Sequence, residues 1–160
     1  MMRSMACALV LLTAACQAPE MTDEQRAAIA REIMDAANDF VAGLSTLDGD
    51  SFVAPFTDAG DLVYVDAGRI YPDRDALRNA FAGFASRQER IGGTWDPTHV
   101  VVLGPDGAAF TGVFNAEVVD TAGVPQWTNG KIWTFVFQRR DGEWTIVHAH
   151  ESNGRAPRGN

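Results

Sequence analysis

Cysteine is scarce in this chain: only Cys7 and Cys16 occur among 160 residues. A framework of structural disulfides is therefore excluded. Basic charge is scarce as well. Thirteen lysines and arginines stand against 21 acidic residues, giving a net charge of −8 and a pI near 4.7, with no cluster of five or more basic residues. That field excludes nucleic acid, polyphosphate and acidic lipid as the main partner. No apolar run approaches the roughly 20 residues needed to cross about 30 Å of hydrocarbon. A GxSxG elbow, a Walker loop and a GxGxxG fingerprint are all missing, so hydrolase, nucleotide and redox-cofactor readings have no support and no cofactor is expected. What remains is ordinary globular composition, 46% hydrophobic and 21% charged. Such a chain can bury a core.

The first segment, 1–15, carries Arg3, then an apolar stretch from Met5 to Leu12, then the small residues Thr13, Ala14 and Ala15. Its length and flanks predict a secretory signal rather than a membrane span. Leu11-Leu12-Thr13-Ala14-Ala15-Cys16 resembles a bacterial lipobox, with Thr13 where Leu is usual, which implies lipidation of Cys16. Because Cys7 lies within the signal, the processed chain keeps only Cys16, and acylation is the natural use of a lone terminal cysteine in an oxidising compartment. Segment 16–21 is then a tether. By resemblance to lipoprotein sorting, Gln17 implies the outer membrane, facing the periplasm, with the lipid anchor as the only membrane contact. About 145 residues remain, the size of one domain.

Thr22 followed by Gln25 forms a capping-box pattern, and Ile29, Ile33, Ala36, Ala37, Phe40, Val41 and Leu44 recur at spacings of three and four. This predicts an amphipathic helix ending near Gly43. A short second helix is expected over Ser51 to Phe56, capped by Asp50 and limited by Pro55. Leu62 to Val65, the turn Asp66-Ala67-Gly68 and Arg69 to Tyr71 read as a hairpin. Asp73 caps a third helix with Ala76, Leu77, Ala80, Phe81 and Phe84 on its buried stripe. Four strands follow: His99 to Leu103, Ala108 to Asp120, Gln126 to Arg139 and Trp144 to Glu151, joined by turns at Gly104-Pro105-Asp106-Gly107, Thr121-Ala122-Gly123 and Asp141-Gly142. Hairpin connections demand an antiparallel meander. The class is α+β, with N-terminal helices packed on one face of a curved antiparallel sheet in a cone that leaves a cavity. The domain is bounded at 22–153, and 154–160 is a flexible tail.

This order of elements resembles the nuclear transport factor 2-like superfamily. The closing stretch Arg139-Arg140-Asp141-Gly142-Glu143-Trp144-Thr145-Ile146-Val147-His148-Ala149-His150-Glu151-Ser152 is similar to that of its SnoaL-like branch and of the association domain of calcium/calmodulin-dependent protein kinase II. Val118 to Pro125 fits the preceding turn of that family, and Thr134 matches a family threonine. The resemblance implies the cone-shaped fold and a homodimer formed through the meander. It also implies that three arginines, which receive small carboxylates in the association domain, are replaced by Phe114, Phe135 and Glu151. With two rings in those places, either the cavity is apolar and suits a flat molecule, or Phe114 and Phe135 fill it.

Three constellations could carry chemistry. By strand alternation His148 and His150 point the same way as Trp144 and Ile146, but a third ligand would have to come from elsewhere, from His99 or an acidic residue, and no pair has the helical spacing of zinc enzymes, so no metal site is assigned. Tyr64, Asp66 and Glu151 supply the residue types for proton transfer, an acid and a carboxylate base whose pKa an apolar pocket would raise. Asp66 also fits a purely structural turn role. Trp95 stands just before a strand, where it would line the mouth of the cone. The sequence thus predicts a lipid-anchored domain binding a small apolar molecule through Tyr64, Trp95, Phe114, Phe135 and Glu151. Its alternatives are an acid/base isomerase or lyase of the ketosteroid isomerase type, using Asp66, Glu151 and Tyr64, and an oligomerisation module with a filled cavity.

Overall fold

The structure, a computed structural model, describes residues 20–152, apart from the side chains at 127–129. The signal segment, Cys16 and the tail 154–160 lie outside the described residues. Helix α1, Asp23–Ser45, begins with the predicted capping box: Thr22 Oγ1 accepts from the Gln25 backbone N–H at 3.2 Å and the Gln25 side chain accepts from the Thr22 N–H at 2.8 Å. Ile29, Ile33, Ala37, Phe40 and Leu44 form its buried stripe. The helix ends at Ser45, close to the expected end near Gly43. A Cβ at Gly43 would lie 2.6 Å from the Ser51 carbonyl oxygen, so this glycine lets α2 approach closely.

Helix α2, Gly49–Val53, is shorter than predicted and starts two residues earlier, capped by Asp48 instead of Asp50. Asp48 accepts from the Ser51 N–H at 2.8 Å, whereas Asp50 is drawn away to Arg78 of the next helix at 2.6 Å. Strands β1, Val63–Asp66, and β2, Arg69–Tyr71, form the expected hairpin. Ala67 and Gly68, at φ of 47° and 82°, give its turn the left-handed pair that suits strand twist. Helix α3, Arg74–Ala85, is capped by Asp73 as its sequence predicts.

The meander comprises β3, Gln88–Gly104, β4, Gly107–Asp120, β5, Pro125–Arg140, and β6, Glu143–Ser152. Strand β3 begins eleven residues before the predicted start because it follows β4 along nearly its whole length, with a register shift between Trp95 and Thr98 around Pro97. That proline sits on an edge strand, where a missing donor is tolerated. The sheet order is β2-β1-β6-β5-β4-β3, antiparallel except where β1 runs parallel to β6. The helices cover its inner face, built from Phe110 and Phe114 of β4, Trp133, Phe135 and Phe137 of β5, and Ile146 and Ala149 of β6. Helices followed by a curved, unclosed sheet are the α+β cone that the element order implies.

One phase prediction fails. A register shift between Val136 and Phe137 accommodates an extra residue, Val147, on β6. Beyond this bulge the alternation inverts. Ile146 faces the core, but so do Ala149 and Glu151, while His150 is exposed and His148 half-buried on the outer face. The two histidines therefore do not share the face of Ile146.

Candidate functional site

The pairing of β1 with β6 brings together residues 85 apart in sequence: Asp66 lies opposite Glu151, and Glu151 lies opposite Trp133 on its other side. On β5, Lys131 and Trp133 share the inner face, and Lys131 pairs with Phe114 of β4. These residues form the sheet wall of a cavity of about 210 Å3, closed on the helical side by Phe52 of α2 and Leu77, Phe81 and Phe84 of α3. Phe52 and Phe81 stack with ring centroids 4.0 Å apart. The remaining wall includes Leu44, Ile91, Ala116 and Val118, so most of the lining is apolar.

The polar end is compact. Glu151 is 5% exposed, the one charged residue among those described to be so deeply buried. Tyr64 Oη donates to its Oε2 at 3.0 Å, and Lys131 Nζ pairs with its Oε1. A carboxylate oxygen has room for more than one donor, so both still offer lone pairs to a ligand. Burial is the main cause that pushes the Tyr64 hydroxyl well above the usual phenol range, reinforced by the negative charge of Glu151, its hydrogen bond and the charge of Asp66. Tyr64 is therefore a protonated donor across the physiological range. Lys131, one-third exposed, carries the cluster toward solvent.

Of the residues singled out from the sequence, Tyr64, Asp66, Phe114 and Glu151 line this cavity together. Trp95 and Phe135 do not. Trp95 lies inside β3 and its indole N–H donates to the Ala37 carbonyl of α1 at 3.1 Å, which holds the half-buried ring against the core under α1. Phe135 is fully buried under Phe40, ring centroids 5.0 Å apart, because its register opposite Phe110 and Ala149 sets it toward the α1 side. Lys131 and Trp133 are site residues that sequence reasoning missed. Lys131 is the only lysine in the chain. That rarity, with its i, i+2 alternation with Trp133, Phe135 and Phe137, is the signal that could have found it. Among the described residues no group of three His, Cys, Asp or Glu side chains is arranged to hold a metal ion.

The family model for the SnoaL-like domain matches residues 25–150. No curated protein matches the sequence. Among solved structures, a candidate calcium/calmodulin-dependent protein kinase II association domain from Xanthomonas campestris is 25% identical, with a TM-score of 0.71 over 81% of this chain and 89% of the other. A nuclear transport factor 2-like superfamily protein from Salmonella enterica is 16% identical, with a TM-score of 0.73 over 82% and 95%. A candidate dehydratase of the same family from Streptomyces avermitilis is 19% identical, with a TM-score of 0.71 over 82% and 99%.

Proposed function

The chain belongs to the SnoaL-like domain family, and on that premise we propose that it binds a small, largely apolar molecule in the cavity between α3 and the sheet. The observation that carries this reading is the pairing of a mostly apolar wall with one buried polar cluster, Tyr64, Glu151 and Lys131. Sites of that composition hold a ligand by its apolar body and orient it by a few polar contacts. At about 210 Å3 the space lies below the 300–1,000 Å3 of drug-sized pockets, so the ligand is of the order of one or two rings. The polar cluster contains no arginine, and Glu151 stands where the carboxylate receptor of the association domain is expected to carry one. A carboxylate ligand is accordingly disfavoured.

A second reading is an acid/base isomerase or lyase. It is favoured by a buried carboxylate that faces the cavity beside a protonated phenol, with Asp66 as its register neighbour. The dehydratase-named neighbour accords with that reading at the level of fold alone. We also propose export with a lipid on Cys16, supported by the lipobox-like sequence, and a homodimer through the outer sheet face, supported by the exposed Val101, Leu103 and Ile132. The terminal mass of membrane-extracted protein tests the first, and sedimentation tests the second.

A thermal-shift screen of the purified protein against one- and two-ring compounds, quinones, sterols, fatty acids and short carboxylates tests the binding reading. At 100 times Kd a ligand adds about 2.7 kcal/mol, or several degrees. Stabilisation confined to small flat compounds is expected. Stabilisation by carboxylates alone would refute the ligand class, and no response to any compound would favour the oligomerisation module. Turnover of a bound compound that survives both Glu151→Gln and Asp66→Asn, made separately, would remove the proposed base.

A further inference from the structure

Aspartates beside turns and helix starts in this chain spend their carboxylates on nearby backbone. Asp48 accepts from the Ser51 N–H at 2.8 Å, Asp73 from the Ala76 N–H at 2.7 Å, and Asp120 from the Ala122 and Val124 N–H groups at 2.9 Å. Asp66 stands in the same kind of position, at the end of β1 just before the turn Ala67-Gly68, yet its carboxylate accepts no hydrogen bond and enters no ion pair among the described residues. Arg69, its register partner on β2, is exposed and lays its guanidinium over the Tyr71 ring at 5.3 Å. The structural turn role that the sequence allows for Asp66 is thus unused. Its side chain follows Tyr64 by two residues, shares the inward face and lines the cavity, where it is only half-buried and can be reached.

We infer that Asp66 is the counter-ion for a ligand cation and that the molecule held in the cavity is a one- or two-ring compound bearing a protonated amine. This rests on the binding reading above and adds to it the chemistry of the ligand. Among the described residues three charged side chains line the cavity, those of Asp66, Lys131 and Glu151. Lys131 and Glu151 pair with each other, so the charge that remains on the wall is the single negative one of Asp66. Carboxylate oxygens only accept, and an ammonium group meets them with a charge and several N–H donors. Partial exposure of Asp66 leaves the ammonium some of its hydration, which limits the cost of bringing a charge into the site. Rings form much of the remaining wall, and aromatic faces attract a cation and repel an anion. Because Asp66 lies opposite Glu151 across β1 and β6, the amine takes the polar end of the cavity and the rings rest against Leu77, Phe81 and Phe84.

The test compares 2-aminoindane, 2-indanol and indane, which share one ring frame and differ at one substituent. Each is titrated calorimetrically at pH 7 into the wild-type protein and into Asp66→Asn, which keeps the size and one acceptor oxygen but removes the charge. The Asp66 13Cγ resonance of the wild type is followed in parallel. The inference expects 2-aminoindane to bind the wild type about tenfold more tightly than 2-indanol, that margin to vanish in Asp66→Asn while indane binds both proteins alike, and the Asp66 resonance to move with the amine but not with indane. Binding of the alcohol or of indane as tight as that of the amine overturns it and leaves the binding reading intact. An amine preference that survives Asp66→Asn with an unmoved resonance assigns the cation to Glu151, and also overturns it. If none of the three binds at millimolar concentration, the binding reading falls and the inference with it. Should Asp66→Asn fail to fold, the wild-type resonance decides alone.

Discussion

Under α1 the inner face of the sheet is filled by rings, Phe40 against Trp133 and Phe135, Trp95 against Phe110, while under α3 the same face opens into a cavity with the buried Glu151 and its partly exposed partner Lys131 on its wall. The two halves share strands β4 and β5, so their difference is not one of scaffold. It arises from what each helix brings. Helix α1 lays five buried side chains over 23 residues and is fastened through Trp95 to Ala37 and through Glu32 to Arg139 and Trp144. Helix α3 has 12 residues, and its Phe81 stacks on Phe52 of α2. A space of about 210 Å3 on that side is ring packing that the open half forgoes. The comparison teaches that the ring-packed half supplies the stability that lets the other half stay open and keep its polar groups.

The largest expected effect breaks the packed half. Phe135→Ala removes a ring that is 0% exposed and touches Phe40, Phe110, Trp133 and Phe137, and is expected to cost about 3–5 kcal/mol by denaturant unfolding. Phe84→Ala, on the half-buried cavity side of α3, is expected to cost about 1 kcal/mol and to weaken ligand binding. Equal costs at the two positions would erase the distinction between the halves.

An intermediate effect sharpens the comparison from the open side. Lys131→Met keeps the length and apolar stem but leaves the buried Glu151 carboxylate without its cation, and a loss of about 1–3 kcal/mol is expected at pH 7. Adding Glu151→Gln to that variant is expected to recover part of the loss, since the uncompensated charge is then gone. If Lys131→Met is neutral, the pair is an ordinary surface contact and the cavity has no charged anchor.

The packed half was the more legible in the sequence, and the reason is range. Spacings of three and four located the α1 stripe, and turn residues such as Asp141-Gly142, at φ of 52° and 90°, located the hairpins, because both signals are local. The candidate site depends on pairing of β1 with β6, a parallel contact between distant segments that no local pattern announces. Tyr64, Asp66, Phe114 and Glu151 could be nominated from residue type and from family resemblance. Lys131 and Trp133 were harder to find: a lone lysine alternating with aromatic residues is a weak signal, and their role appears only once Glu151 is opposite Trp133. The histidine phase was lost to a single bulged residue, Val147, and the choice of Asp48 over Asp50 as a cap was decided by Arg78 on another helix.

The smallest expected effect is electrostatic and lies at the rim of the packed half. Glu32 of α1 accepts from the Trp144 indole at 2.7 Å and from Arg139, whose guanidinium stacks 4.3 Å from the Trp144 ring. The Trp144 hydrogen bond first, and Arg139 second, hold the Glu32 carboxyl below its ordinary value of 4.5. A carboxyl depressed in the folded state binds its proton more readily when unfolded, so its contribution is present above about pH 4.5 and is lost as pH falls through the lower folded value. Because Glu32 is largely solvent-exposed, screening keeps that contribution small. The melting temperature of Glu32→Gln is therefore expected to lie slightly below that of the wild type at pH 7, and the gap to close on acidification below about pH 4. A gap that stays constant with pH would show that the carboxylate charge does not fasten α1 to the β5–β6 hairpin, leaving Trp95 and the buried rings to hold the packed half together.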